Sequence, residues 1–179
     1  MIGPFRRRPP GPAEAILGKI VAQARQPVFY ERLGVADTID GRFEMIVVHA
    51  FLYHHRLKDE DEAARAVGQE VFDLMFRDLD RNLHEMGMSY VAVPKRVKEM
   101  GRAFYGRALA YDAALQSEDP VELERALLRN VYGDRPDVAG AEVKLAAYVR
   151  AAVEALAGLD RATLTQAGPA YPDPAAFAA

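Results

Sequence analysis

From Glu70 to Tyr111 the apolar and polar positions follow a helical rhythm that breaks once. Val71, Phe72, Met75, Phe76, Leu79, Leu83 and Met86 recur at spacings of one, three and four, which puts them on one face of a helix. Beyond the break, Val97, Met100, Phe104, Ala108, Tyr111 and Leu115 step by three or four and form a second stripe. Gly87 is a natural helix stop and Pro94 a natural first-turn residue, so the pattern predicts an antiparallel pair of long helices.

The same reading extends over the rest of the chain. Ile16, Leu17, Ile20, Val21 and Ala24 predict a helix from Ala13, ended by Pro27, which opens a short second helix closed by Gly34. The segment Thr38 to Lys58 carries Phe43, Ile46, Val47, Ala50, Phe51, Tyr53, His54 and Leu57. It is apolar around most of its circumference and is expected to be the central buried helix, capped by Asp37 or Asp40. The polar corner Lys58–Glu62 leads into the long helix Ala63–Glu85, and its partner runs from Pro94 to Gln116. Asp119, Pro120 and Glu122 have the spacing of a cap, a first helical residue and a capping-box partner for a helix to about Tyr132. A last long helix is expected over Ala141–Ala157, then a short turn near Arg161–Gln166. Strand alternation is missing, apart from a few extended residues at Tyr90–Val93. The expected fold is an all-α, single-domain bundle of about six to seven helices over residues 13–167. Residues 1–12 read as a disordered, basic, proline-rich start and residues 168–179 as a flexible Ala/Pro tail.

Composition narrows the classes of function. The chain has 179 residues, half of them apolar, and a net charge of −3, so nothing draws it as a whole to nucleic acid or anionic lipid. With no cysteine, disulfides, thiolate metal sites and cysteine nucleophiles are excluded together. The richest apolar run, Met45 to Tyr53, is interrupted by His49 and is well short of the roughly 20 residues that span a bilayer. The start, with three arginines and four prolines, lacks the apolar core of a signal peptide and cannot form an amphipathic presequence helix. A cytoplasmic location is expected, with weak peripheral membrane contact through Phe5 and Arg6–Arg8 as an option.

Candidate chemistry is sparse. His49, His54, His55 and His84 do not fall at the spacing of a zinc-binding helix pair, and no Glu-x-x-His occurs. Ser89 and Ser117 sit in no nucleophile elbow, and there is neither a phosphate loop nor a dinucleotide fingerprint. Asp73, Asp78 and Asp80 lie on the polar side of their helix. No catalytic residue, metal or cofactor is expected. Two features do stand out. Lys95, Arg96, Lys98, Arg102 and Arg107 collect on one helix, with Glu99 the only acid before Asp112. They read either as a docking face for an anionic partner or as a solvated surface paired with the acids of the preceding helix. In the run Phe104-Tyr105-Gly106-Arg107, Tyr105 points about 100° away from the core stripe and Gly106 leaves room for close approach.

In order and spacing, several of these motifs together resemble the ubiquinol–cytochrome c chaperone family. They are Phe29-Tyr30, Asp37-Thr38, Gly41-Arg42-Phe43-Glu44, Asp78-Leu79-Asp80, Arg81, Glu85-Met86-Gly87, Val93-Pro94-Lys95 and Phe104-Tyr105-Gly106-Arg107. The match covers about Pro27 to Leu115 and departs from the family at the joint Met88-Ser89-Tyr90, where a glycine- and aspartate-bearing turn is usual. The resemblance implies a helical, non-enzymatic assembly chaperone for the cytochrome bc1 complex that binds newly made cytochrome b. It also implies a small partner protein, the ribosome and peripheral contact with the inner membrane as associates, and no small-molecule substrate. On that reading Tyr105, Arg107, Arg102, Lys95 and Lys98 form the partner surface, with Phe29, Tyr30 and Phe43 as groove residues. Two alternatives stay open: a ribosome- or RNA-docking helical adaptor using residues 95–107, and a metal or haem enzyme built on the histidines.

Overall fold

A computed structural model describes residues 11–133, 135–138 and 140–179. Residues 1–10 of the stretch expected to be disordered lie outside them. The described residues form seven α-helices: α1 Pro12–Ala24, α2 Pro27–Glu31, α3 Ile39–Leu57, α4 Glu62–Glu85, α5 Ala92–Gln116, α6 Val121–Val131 and α7 Ala141–Ala157. Among them there is no strand, and the residues at Tyr90–Val93 form a turn and the start of α5. The all-α expectation holds.

Helix α3 is the hub, as its all-round apolar character demands. It packs against α1, α4, α5, α6 and α7, and every residue from Phe43 to Tyr53 is buried. Its cap differs from expectation. Thr38 holds the extended backbone an N-cap needs and its hydroxyl accepts the Gly41 N–H at 3.1 Å. Asp37 instead takes the Arg42 Nε at 2.6 Å, and Asp40 pairs with Arg96 of α5. The turn into α3 is tight enough that a Cβ on Gly41 would lie 2.0 Å from the Ala36 carbonyl oxygen, so only glycine fits there. At α6, Asp119 accepts the Val121 N–H as expected, but Glu122 turns to Arg125 at 2.5 Å and the capping box stays open.

The tail is the main departure. Residues 168–179, expected to be flexible, are packed as a strap across α2 and α7, with a short 3-10 turn at Pro174–Phe177. Its aromatic residues do what its alanines and prolines cannot. Phe177 meets Tyr148 edge-on, and Tyr171 donates its hydroxyl to the His49 carbonyl at 2.7 Å. Gly168 begins the strap with φ 85 and lies so close to α1 that a Cβ would sit 3.0 Å from the Ile16 side chain.

Candidate functional site

Two polar arrangements inside the bundle hold histidine groups that could do chemistry. Under the strap, His49 lies fully buried. Its Nδ1–H donates to the Met45 carbonyl at 2.7 Å, so Nε2 is left to accept from the Tyr148 hydroxyl, also at 2.7 Å. Tyr148 in turn accepts from Gln23, which also donates to the Pro172 carbonyl. Burial lowers the His49 pKa to about 4, so the ring is neutral at physiological pH. With both His49 ring nitrogens paired and the ring shut away from solvent, this network is structural. Five residues along α3, His54 is also pushed down to about 4 by burial, but its Nε2 has no partner. It is packed among Tyr53, Phe72 and Phe104. Among the described residues no group of three or more histidines and carboxylates is placed to hold a metal ion.

The basic helix divides into two sets. Arg107 turns inward, and its guanidinium grips Glu44 of α3 with two parallel hydrogen bonds, the Nη2 contact at 2.6 Å. Burial raises the Glu44 carboxyl pKa and Arg107 draws it back down. Arg107 is therefore a clasp for a buried acid, not part of an open surface. Arg96 is likewise tied to Asp40 and Glu99. Lys95, Lys98 and Arg102 remain exposed and carry no ion pair among the described residues. Tyr105, 59% exposed, and Leu109, 74% exposed, continue their line. Taking about 100° per residue, these five fall within an arc of roughly 80° on the outer side of α5. The ring of Tyr105 leans on Phe72 of α4, at 5.6 Å between centroids, and Phe72 on Phe76 at 4.7 Å, so a half-exposed aromatic seam borders the stripe.

A second opening lies where the N-terminal end of α3 meets the end of α4 and the middle of α5. A groove of about 330 Å³ is lined there by Ile39, Phe43, Ile46, Leu79, Leu83, Met86 and Met100, with Arg25, Arg42, Asn82 and Glu85 on its rim. Ile39 and Met86 are more than half exposed at its mouth. Along α1 and α4 lie two further clefts that share Leu17, Val21, Asp78 and Arg81. The joint beyond it exposes Tyr90 and Val91 by more than four-fifths, with Tyr90 tilted over His84 at 4.5 Å.

The residues expected for binding thus separate. Lys95, Lys98, Arg102 and Tyr105 share the outer stripe of α5, and Phe43 lines the groove. Tyr30 borders a neighbouring hollow with Arg25 and Arg42, and donates its hydroxyl to the Ala24 carbonyl. Phe29 is wholly buried, edge-on to His49 and Tyr148, and belongs to the core. Sequence reasoning missed Ile39, Met86 and Leu109 as surface residues. For Leu109 the signal was present, since it falls on the same arc as Lys98 and Arg102.

Comparison with known proteins gives a consistent set. The family model described as "Ubiquinol-cytochrome C chaperone" matches residues 31–171. Ubiquinol-cytochrome-c reductase complex assembly factor 1 of Xenopus laevis is 27% identical over 140 residues, covering 78% of this chain and 70% of that protein. Its Homo sapiens counterpart is 24% identical over the same share of this chain, which spans only 46% of that longer protein. The crystal structure of the Cbp3 homolog from Brucella abortus superposes with a TM-score of 0.82 at 39% identity, covering 92% of this chain and 90% of the other.

Proposed function

Because this chain belongs to the ubiquinol-cytochrome c chaperone family, we propose that it is a non-enzymatic assembly chaperone for the ubiquinol–cytochrome c reductase complex. Its client is newly made cytochrome b, and the groove at the α3–α4–α5 end holds an apolar segment of that client. The observation that carries the reading is the groove's composition. Two methionines, two leucines, two isoleucines and a phenylalanine form an apolar lining with a charged rim. Methionine adapts its shape to varied apolar surfaces, which suits a protein that must hold a segment before it is packed. No helix among the described residues is long and apolar enough to cross a membrane.

The RNA-docking reading is weaker on physical grounds. With Arg96 and Arg107 tied to carboxylates, the stripe offers three unpaired cations. Three neutralised phosphates give a log–log salt slope of only about −2 on single-stranded RNA.

The test is deletion of the gene in its host, with reduced-minus-oxidised spectra of the membranes. Selective loss of the bc1 complex is expected, restored by the wild-type gene and not by an Ile39→Glu/Met86→Glu groove variant that folds normally. Unchanged bc1 content in the deletion strain would overturn the proposal.

A further inference from the structure

The stripe on α5 calls for an occupant of its own. We infer that Lys95, Lys98, Arg102, Tyr105 and Leu109 dock an acidic amphipathic helix of a second protein, laid along the outer side of α5. Three observations point to that chemistry. First, the stripe is polarised, with its cations in the N-terminal half of α5 and its apolar residues in the C-terminal half, continued by exposed Ala113. The first turn of α5 holds no acid, so the positive end of the helix dipole adds to the cations instead of being offset. Carboxylates on a partner answer that end, while its leucine-like residues answer Tyr105 and Leu109.

Second, the geometry suits a helix. From Lys95 to Ala113 the stripe runs straight for about 27 Å at 1.5 Å per residue. A Cβ on Gly106 would meet nothing within 4 Å, so a neighbouring helix can approach the α5 backbone there. Within the bundle α5 packs on α3, α4 and α6, all on its inner side, which leaves the outer flank unfilled. Third, the composition is that of a protein interface. Tyrosine and arginine are the residue types most often found to carry protein–protein binding energy, and the exposed leucine beside them adds apolar surface to bury. Contacts made only to phosphates, whether of RNA or of lipid headgroups, would use the three cations and leave Leu109 and Ala113 without apolar partners.

This inference is independent of the client groove, and its test keeps the two apart. The purified full chain is titrated with an 18-residue designed helix bearing a leucine stripe flanked by glutamates, followed by backbone NMR shifts and fluorescence anisotropy. The same peptide with lysines for glutamates, a single-stranded RNA 20-mer and vesicles of anionic phospholipid serve as competing probes. The acidic helix should shift α5 resonances and bind at least tenfold tighter than its lysine counterpart. Leu109→Glu and the triple Lys95→Glu/Lys98→Glu/Arg102→Glu should each weaken it at least tenfold, and the triple should flatten its salt dependence. The groove variant Ile39→Glu/Met86→Glu should leave it unchanged. No shift at α5 up to millimolar peptide, binding that the groove variant removes, or preferential shifts of the stripe by RNA or vesicles would each overturn the inference.

Discussion

Helix α3 is covered on two flanks by different means. On one, α7 and the strap close a polar network: Met45, His49, Tyr148, Gln23 and Pro172 are linked in sequence by hydrogen bonds, and Tyr171 seals the His49 carbonyl. On the other, the α4–α5 hairpin lays aromatic rings over His54 and leaves the His54 Nε2 without a partner. The first flank is completed by the chain itself. The second ends outward in Tyr105, Leu109, Met86, Tyr90 and Val91, all exposed. Among the described residues, five of the eight exposed large apolar side chains lie on the hairpin, the others being Ile39, Val121 and Val143, and both proposed binding faces use the hairpin.

The largest expected effect that sharpens this contrast is acid destabilisation. His49 and His54 titrate near 4 in the fold, against about 6.5 when unfolded. The unfolded chain therefore binds protons first, and stability falls as pH drops from about 6.5 to about 4, by up to roughly 3 kcal/mol for each histidine. Denaturant melts across that range should show the fall. His54→Leu should remove about half of it at little cost at pH 7.5, because it deletes an unpartnered nitrogen. His49→Leu should cost more, because it strands the Tyr148 hydroxyl.

Next comes Arg107→Ala. It leaves the Glu44 carboxylate buried and alone, and should cost about 3–5 kcal/mol in urea melts. The double variant Arg107→Met/Glu44→Gln should recover much of that loss. A cost below 1 kcal/mol for the single variant would mean that the hairpin flank is held without its clasp. The smallest effect is a pair with the same chemistry. Tyr148→Phe should cost about 1–3 kcal/mol, since His49 Nε2 loses its donor. Tyr105→Phe should fall within about 0.5 kcal/mol of wild type. Equal costs would erase the distinction between the flanks.

How much of this was legible in the sequence follows the same division. Helix boundaries and the burial of α3 came from periodicity, because a helix with apolar residues on every side has nowhere to lie but the middle. Arg107 read as one more cation in a basic run, yet three residues beyond Phe104 is about −60° on the helix, an inward position. The acid it serves, Glu44, was conspicuous as a charge inside an apolar stretch. The strap was hidden by its alanines and prolines, although Tyr171 and Phe177 were aromatics with no evident use in a loose tail. The groove could not be read at all, since Ile39, Phe43, Met86 and Met100 come together only when three helix segments meet.

The strap also imposes an order in time. A chain emerging from its N-terminus makes Gln23 long before Pro172, 149 residues later, and Ile16 long before Gly168 settles against it. Helices α1 to α6 can therefore pack before residues 168–177 are available, with the His49 side of α3 still open. That side can close only after the run from Gln23 to Pro172 has been made, which makes its closure a late event in folding. Without residues 168–179 the helices would remain, but the His49 and Tyr148 side would lose the contacts that lock it.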